Sequence, residues 1–264
     1  MTLKVDFFIV GAQKSGTTAL HSTLSRVDGI QMSMPKETHF FDNEDINWSQ
    51  ANYDSLNTYF DWSSENTIRG EATPIYSYWP ESLERIHAYN PAAKFIMLLR
   101  QPALRAYSHW RMEFQRGSES LQFADAVSEP GRSRVTRAPG GIHPVYSYVE
   151  RGFYSKQIKR IKNLFPDEQL IYITSEKLWC EPQEMLKKIS RFLGVECSES
   201  ASSRDYVAPL VDQINPIPPQ ENLSNLLHQL TNLYEEDIRE TERLTGLLLS
   251  DWLDPDYEEP MVRP

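Results

Sequence analysis

The chain has 264 residues, of which 40% are hydrophobic and 24% are charged, and its formal net charge is -10 at neutral pH. A chain of this length can bury a sizeable core and fits one large α/β domain. The acidic balance argues against a broad nucleic-acid-binding surface, although it leaves room for a local basic pocket.

The cysteines and the apolar runs give no sign of export or of a membrane anchor. Cys180 and Cys197 are the only cysteines and form no C-x-x-C pair, so neither a disulfide framework nor a zinc site is predicted. The first apolar run has four residues and follows Asp6, which is too short and too acidic for a signal peptide. No apolar run reaches membrane-spanning length, and we expect a cytoplasmic protein with reduced thiols.

The first predicted strand leads directly into a glycine loop. Residues Phe7 to Val10 form a continuous apolar run that predicts a strand buried on both faces, and the run breaks at Gly11. Gly16 then opens a helix whose apolar residues recur at helical spacing, namely Leu20, Leu24 and Val27. A strand, glycine loop and helix in this order direct backbone N–H groups and a helix dipole at one point, which predicts a phosphate site. Further donors come from Lys14 and from the hydroxyls of Ser15, Thr17 and Thr18.

The spacing of this loop differs from that of a P-loop nucleotidase, G-x-x-x-x-G-K-[ST]. Here the loop reads Gly11-Ala-Gln-Lys14-Ser-Gly16-Thr17-Thr18, with the lysine inside the loop and threonine after the second glycine. It resembles the 5′-phosphosulfate loop of sulfotransferases that use 3′-phosphoadenosine-5′-phosphosulfate (PAPS). The resemblance implies that the donor is bound by Lys14, Ser15, Gly16, Thr17 and Thr18, with Lys14 also acting in catalysis. A plain strand-to-helix turn is the structural alternative.

The next segment packs acidic, basic and imidazole groups between apolar residues. It reads Met34-Pro35-Lys36-Glu37-Thr38-His39-Phe40-Phe41-Asp42, and its proline prevents a helix from continuing through it. Such a cluster is a candidate acid/base site for a hydroxyl nucleophile, or else a charged surface loop anchored by its phenylalanines. It resembles the K-E-x-H-F-F segment of heparan-sulfate-like sulfotransferases and their bacterial relatives. The resemblance implies that Glu37 is the general base, and His39 is either the base instead or the residue that orients Glu37.

A variable stretch and a short strand follow. Residues 46–66 show no clear period and predict a loop with short helical turns. Ile68 begins a short strand that ends at Pro74, in a segment that resembles the family's G-E-x-[ST]-P motif beside the acceptor. Several members have a lysine where this chain has Ala72, so the contribution of that lysine is absent here or comes from elsewhere. Residues 80–89 predict a helix.

The second strong strand ends in a cation. The run Lys94 to Leu99 precedes Arg100, and Pro102 marks a helix start whose apolar stripe faces the sheet. Arg100 at the carboxyl end of a parallel strand and Ser108 on the following helix can converge on one anion. The pair resembles the sulfotransferase 3′-phosphate motif, with Gln101 where the family usually has aspartate. The structural alternatives are that Arg100 forms a strand-end ion pair and that Ser108 is a helix surface residue.

The remaining elements complete an alternating pattern. A polar loop is expected over 121–141, either mobile and acceptor-facing or plainly solvated, and a helical region over 143–164. A strand over 169–174, a helix over 182–192 that stops at Gly194, and a long amphipathic helix over 221–244 follow. This pattern predicts an α/β, P-loop-like three-layer fold with a central, mainly parallel sheet flanked by helices. We expect one domain over 1–253 and a loose tail over 254–264.

The motifs together resemble a PAPS-dependent sulfotransferase of the bacterial, heparan-sulfate-sulfotransferase-like type over almost the whole chain. The resemblance implies in-line transfer of a sulfuryl group to a hydroxyl, with 3′-phosphoadenosine-5′-phosphate (PAP) as product and no metal. The alternatives are a nucleoside-triphosphate-dependent kinase on a similar fold and a catalytically silent nucleotide-binding module. The acceptor stays open among small molecules, sugars and carrier-bound acyl chains, and the net charge argues weakly against a very highly sulfated polymer.

Overall fold

A five-stranded parallel sheet organises the fold. The computed structural model describes residues 3–64, 66–196 and 216–260. The sheet order is β2-β3-β1-β4-β5 and every neighbouring pair is parallel, which confirms the predicted α/β fold with a mainly parallel central sheet. The strands are β1 (Phe7–Gly11), β2 (Ile30–Met32), β3 (Ile68–Glu71), β4 (Lys94–Leu99) and β5 (Leu170–Thr174).

Helices connect and cover these strands. In chain order they are α1 (Thr17–Leu24), α2 (Asp54–Asn57), α3 (Ser82–Tyr89), α4 (Pro102–Gln115), α5 (Phe123–Val127), α6 (Glu129–Thr136), α7 (Tyr154–Leu164), α8 (Ser175–Cys180), α9 (Pro182–Leu193) and α10 (Leu223–Thr245). By their contacts the described residues divide into a sheet unit, residues 3–99, 157–196 and 260, and a helical unit, residues 100–156 and 216–259. The prediction of a single domain with a loose tail stays a prediction. In the described part of the chain, no helix combines the length and the apolar character needed to cross a membrane.

Both faces of the sheet are covered within the sheet unit. One face buries Phe7 and Ile9 of β1 in a cluster with the apolar residues of α1 and α9. On the other face Phe8 meets Phe41 edge-on, with ring centroids 5.6 Å apart, and Phe95 of β4 packs against Phe165 at 4.2 Å. Each buried phenylalanine contributes about 1.5–3 kcal/mol, so the continuous apolar run of β1 follows from its central, doubly covered position.

A glycine in β3 is required by this packing. A Cβ atom placed on Gly70 would lie 2.1 Å from Cζ of Phe7, because the phenylalanine ring crosses directly over the neighbouring strand. Glu71, the next residue, ends β3 and pairs in register with Phe8. The large ring on β1 therefore explains why a glycine precedes the buried carboxylate on β3.

In the helical unit, Gln101 stands where the family's motif usually has aspartate, and its side chain both accepts and donates hydrogen bonds. Its side-chain Oε1 accepts a hydrogen bond of 2.9 Å from the Leu104 N–H and so caps α4. Its Nε2 donates to Thr231 Oγ1 of α10 at 2.8 Å. A carboxylate could perform the first task but not the second, since it has no N–H to donate.

Several stretches differ from the sequence expectation. The polar loop expected over 121–141 was wrong, because α5 and α6 occupy most of it: Ser128 Oγ caps α6 by accepting from the Gly131 N–H, and Arg134 pairs with Glu119 at 2.8 Å. The helical region expected over 143–164 consists of a 3-10 turn at Glu150–Gly152 and then α7 from Tyr154. The turns expected over 46–66 are present as a 3-10 turn and α2, whereas the three-residue strand β2 was not predicted.

Candidate functional site

The glycine loop after β1 is built to present donors. Lys14 and Gly16 both have left-handed backbone conformations, with φ of 71° and 94°. α1 begins after Gly16 without a side-chain cap, so the N–H groups of its first turn point out of the helix. Ser15 is fully buried, and within the described residues its Oγ has no hydrogen-bond partner. Thr17 is buried, whereas Lys14 and Thr18 are half-buried.

The loop is held from behind by neighbouring strands and turns. The Ala12 N–H donates to the Leu98 carbonyl of β4 at 2.6 Å. Ser175, at the start of α8, directs its hydroxyl at the Ser15 carbonyl at 2.9 Å and at the Leu99 carbonyl at 3.1 Å. These contacts hold the backbone of the loop against the end of β4 and the start of α8.

The residues of this loop fit a phosphosulfate group. A left-handed glycine lets the backbone turn closely around an anion, and an uncapped helix N-terminus favours negative charge. A cation at Lys14 and an orphaned buried hydroxyl at Ser15 add donors suited to anionic oxygens. All the loop residues singled out in the sequence lie together at the carboxyl end of β1.

The second motif forms a chain of charged side chains after β2. Glu37 Oε1 lies 2.5 Å from Lys36 Nζ, and Glu37 Oε2 lies 3.5 Å from His39 Nε2. On its other side, His39 Nδ1 lies 2.8 Å from Asp42 Oδ2. The side chains of Glu37 and His39 are 38% and 52% exposed, so a ligand can reach both. The predicted catalytic pair is thus brought together, with a carboxylate behind the imidazole.

This chain of contacts separates the protonation states of the two groups. Although partial burial opposes the effect, the hydrogen bond from His39 and the charge of Lys36 lower the pKa of Glu37 to about 2. The hydrogen bond with Asp42, joined by one with Glu37, raises the pKa of His39 to about 10 despite partial burial. At neutral pH the pair is therefore a carboxylate and an imidazolium.

The aromatic residues of this motif anchor it in the sheet unit. Phe40 and Phe41 are buried and contact Trp48 at centroid distances of 5.7 and 6.0 Å. The Phe41 carbonyl accepts hydrogen bonds from Arg85 Nη1 at 2.9 Å and from Ser82 Oγ at 3.2 Å. Trp48, which lies in the variable region, therefore helps to hold the loop that carries Glu37.

The predicted 3′-phosphate pair lies in the helical unit. Arg100 follows β4, and its guanidinium forms a two-pronged ion pair with Glu259, at 2.6 Å from Nε and 2.5 Å from Nη2. Ser108 lies half-buried on α4. The Arg100 carbonyl is held by Tyr154, whose hydroxyl donates to it at 2.8 Å. The assignment of Arg100 and Ser108 to a phosphate stays a prediction.

Sequence reasoning missed several residues that contact the candidate site residues or their chain neighbours. Asp42 was read only as part of a charged cluster, although its i+3 spacing from His39 could have indicated a partner. Glu71 lay inside a quoted motif without an assigned role. Ser175 and Glu259 carry no local signal, because each makes its contact with a residue more than a hundred positions away.

The sequence matches the family described as the sulfotransferase domain over residues 4–231. It is 26% identical over 191 residues to heparan sulfate glucosamine 3-O-sulfotransferase 5 of Homo sapiens, covering 71% of this chain and 52% of that protein. It is 28% identical over 191 residues to heparan sulfate glucosamine 3-O-sulfotransferase 3A1 of Mus musculus, covering 71% and 45%. The chain spans about half the length of these curated relatives.

Solved structures show the same fold. A crystal structure of a sulfotransferase from Alicyclobacillus acidocaldarius superposes with a TM-score of 0.76 at 26% identity, covering 95% of this chain and 99% of that one. The sulfotransferase domain of the curacin biosynthetic pathway aligns with a TM-score of 0.54 at 18% identity, over 93% and 98% of the two chains, which shows the fold alone. With the family match covering most of its length, the chain belongs to the PAPS-dependent sulfotransferase family.

Proposed function

We propose that this chain transfers a sulfuryl group from PAPS to an acceptor hydroxyl, with Glu37 as general base. The observation that carries the proposal is a partly exposed Glu37 in contact with Lys36 and His39 on the loop after β2, in the same sheet unit as the glycine loop after β1. Both loops leave the carboxyl ends of parallel strands, the edge at which open α/β sheets bind ligands.

The protonation states favour Glu37 over His39 as the base. An imidazole whose pKa is raised to about 10 is already protonated at neutral pH and has no lone pair to accept a proton. Glu37 is ionised under the same conditions and can accept one. His39, held by Asp42 on its other nitrogen, then orients the Glu37 carboxylate.

The proposed step is an in-line displacement at sulfur. The acceptor oxygen forms a bond to sulfur while the bond between sulfur and the 5′-phosphate oxygen of the donor breaks, and the hydroxyl proton passes to Glu37. Lys14 and the loop N–H groups stabilise the negative charge that develops on the departing phosphate oxygen. As in phosphoryl transfer, positioning and electrostatic stabilisation supply most of the rate acceleration.

We further propose that the glycine loop, through Lys14, Ser15, Gly16, Thr17 and Thr18, binds the 5′ side of the nucleotide, and that Arg100 and Ser108 bind its 3′-phosphate. The sequence motif supports this assignment, and a guanidinium is well matched to phosphate oxygens. PAP is then the product, and the absence of a metal requirement stays a prediction.

The acceptor is a hydroxyl compound whose class is open. The names of the mammalian relatives point to a glucosamine residue of heparan sulfate for those proteins, and a sugar is one candidate here. Small alcohols and carrier-bound acyl chains are the others. A panel of acceptors with labelled PAPS, scored for transferred sulfate, distinguishes these classes.

The central experiment replaces Glu37 by glutamine, which keeps the shape and removes the basic oxygen. General-base catalysis contributes about 10²- to 10⁴-fold, so turnover of Glu37→Gln falls by that amount while PAP affinity, measured by calorimetry, is unchanged. Glu44→Gln is the matched control, because Glu44 is a surface carboxylate close in sequence that pairs with Arg85. Full turnover in Glu37→Gln removes Glu37 from the role of base.

A second experiment tests the nucleotide assignment against the kinase alternative. Arg100→Ala weakens binding of PAP far more than binding of the analogue that lacks the 3′-phosphate, because only the former has the group in question. Equal losses reject the 3′-phosphate assignment. Tight binding of ATP with magnesium and no binding of PAP would instead favour a kinase, and PAP binding without turnover on any acceptor would favour a silent binding module.

A further inference from the structure

Thr38 lies between Glu37 and His39 in the sequence, and it contacts Glu71 at the end of β3. Its backbone N–H donates to Glu71 Oε1 at 3.2 Å, and its Oγ1 donates to the same oxygen at 3.0 Å. The Thr38 N–H also lies 3.1 Å from Thr73 Oγ1. The residue between Glu37 and His39 is therefore tied to the carboxyl end of β3 through one carboxylate oxygen.

Burying the Glu71 carboxyl group costs desolvation free energy. It is fully buried, its Oε1 also accepts from the Thr73 hydroxyl, and its Oε2 has no partner within the described residues. Burial raises the pKa of Glu71 to about 7, against the opposing hydrogen bonds from Thr73 and Thr38. An apolar residue at the same depth would avoid the desolvation cost, so packing alone does not account for a glutamate here.

The backbone beyond Thr38 has a conformation that needs such an anchor. His39 has a φ of 50°, in the left-handed region that is unfavourable for a residue with a side chain. This turn brings the Glu37 and His39 side chains to the same side, 3.5 Å apart. Tyr76 fixes the far side of the turn, since its hydroxyl accepts from the Phe40 N–H at 3.1 Å.

We propose that Glu71 is a positioning residue for the reaction, which holds Thr38 and thereby sets the relative orientation of Glu37 and His39. The inference rests on the proposed function, because it assumes that Glu37 is the base. Glu71 itself does not touch the reacting atoms in this account. Its effect passes through two hydrogen bonds to Thr38, so it acts on turnover and leaves the glycine loop after β1 unchanged.

The test compares kcat with the KM for PAPS in four variants, Thr38→Val, Thr38→Ser, Glu71→Ala and the double variant Glu71→Ala/Thr38→Val. Misplacing a catalytic group by about 1 Å costs up to about 100-fold, so we expect kcat to fall about tenfold in Thr38→Val and about 10- to 100-fold in Glu71→Ala. The KM for PAPS and the affinity for PAP stay unchanged in both. Thr38→Ser retains the hydroxyl and restores kcat, and the double variant is no slower than Glu71→Ala, because both changes remove the same bond.

A matched control is Thr245→Val, which removes a threonine hydroxyl that donates to the Thr241 carbonyl at 2.7 Å near the end of α10. This variant keeps full turnover. Wild-type kcat in both Thr38→Val and Glu71→Ala overturns the inference, as do parallel losses of kcat and PAP affinity, which indicate general damage to the fold. Thr38 Oγ1 also lies 3.2 Å from the Tyr76 hydroxyl. Should Glu71→Ala fail to fold, full kcat in Tyr76→Phe beside a slow Thr38→Val assigns the effect to Glu71, and equal losses in the two variants overturn the inference. Full turnover in Glu37→Gln defeats the proposed function itself, whereas a slow Glu37→Gln beside wild-type kcat in both Thr38→Val and Glu71→Ala defeats only this inference.

Discussion

Replacing Glu71 by glutamine should change how the stability of the protein depends on pH. The pKa of Glu71 is raised from 4.5 to about 7, so between these values the folded protein holds a proton that the unfolded chain has lost. The contribution of this group to stability is therefore complete below pH 4.5 and disappears as the pH rises through 7. At about 1.36 kcal/mol per pKa unit, the loss amounts to about 3 kcal/mol. Glutamine does not titrate and removes this dependence.

The assay is urea unfolding, followed by tryptophan fluorescence, of wild type and Glu71→Gln at about pH 5 and about pH 8. The wild type should lose about 2.5 kcal/mol more unfolding free energy over this interval than the variant. Glu119→Gln is the control with opposite sign, because Glu119 is also buried but, against that burial, Arg134 lowers its pKa, so its stabilisation is lost on acidification. Identical pH dependence in wild type and Glu71→Gln would refute the reasoning, and so would a wild type that gains stability toward alkaline pH relative to Glu71→Gln.

Three further changes address single contacts. In Lys36→Met, loss of the ammonium 2.5 Å from Glu37 should move the acid limb of the kcat/KM profile to higher pH, since Lys36 helps to lower the pKa of that carboxylate. Glu259→Gln weakens the ion pair with Arg100. Under the proposed role of Arg100 in binding the 3′-phosphate, calorimetry should show PAP binding about tenfold tighter, or about 1.4 kcal/mol; unchanged affinity argues against competition. Gly16→Ala should lose about 1–2 kcal/mol of unfolding free energy in urea titrations, because its φ of 94° disfavours a side chain.

Elements with a strong local pattern could be predicted from the sequence. The apolar runs of β1 and β4, the start of α4 at Pro102 and the glycine that ends α9 each reflect a constraint within a few residues, and each prediction is confirmed. The strand β2 has only three residues and offers no period to detect. The helix α5 was missed because five residues are too few to show a period. The helix α6 was missed because its polar sequence is stabilised by a cap at Ser128 and by the pair of Arg134 with Glu119, fifteen positions away.

The candidate site also contains residues that could be predicted from a local pattern and residues that could not. Glu37 and His39 could be found because their chemistry is concentrated in one short segment. Asp42 and Lys36 could be recognised as charged neighbours, but only the folded loop shows that Asp42 contacts His39 and that Lys36 contacts Glu37. Glu71 contacts Thr38 from a strand more than thirty positions further along the chain, and no local spacing in the sequence indicates this contact.

The central place of β1 also has a consequence during synthesis. This strand leaves the ribosome before its neighbours, and its hydrogen-bonding partners begin only at Ile68 and Lys94. Until the latter has emerged, four consecutive apolar residues of the nascent chain lack the sheet that buries them. Parallel pairing over such separations is intrinsically slow, so the apolar run of β1 is open to aggregation until its partner strands have been made.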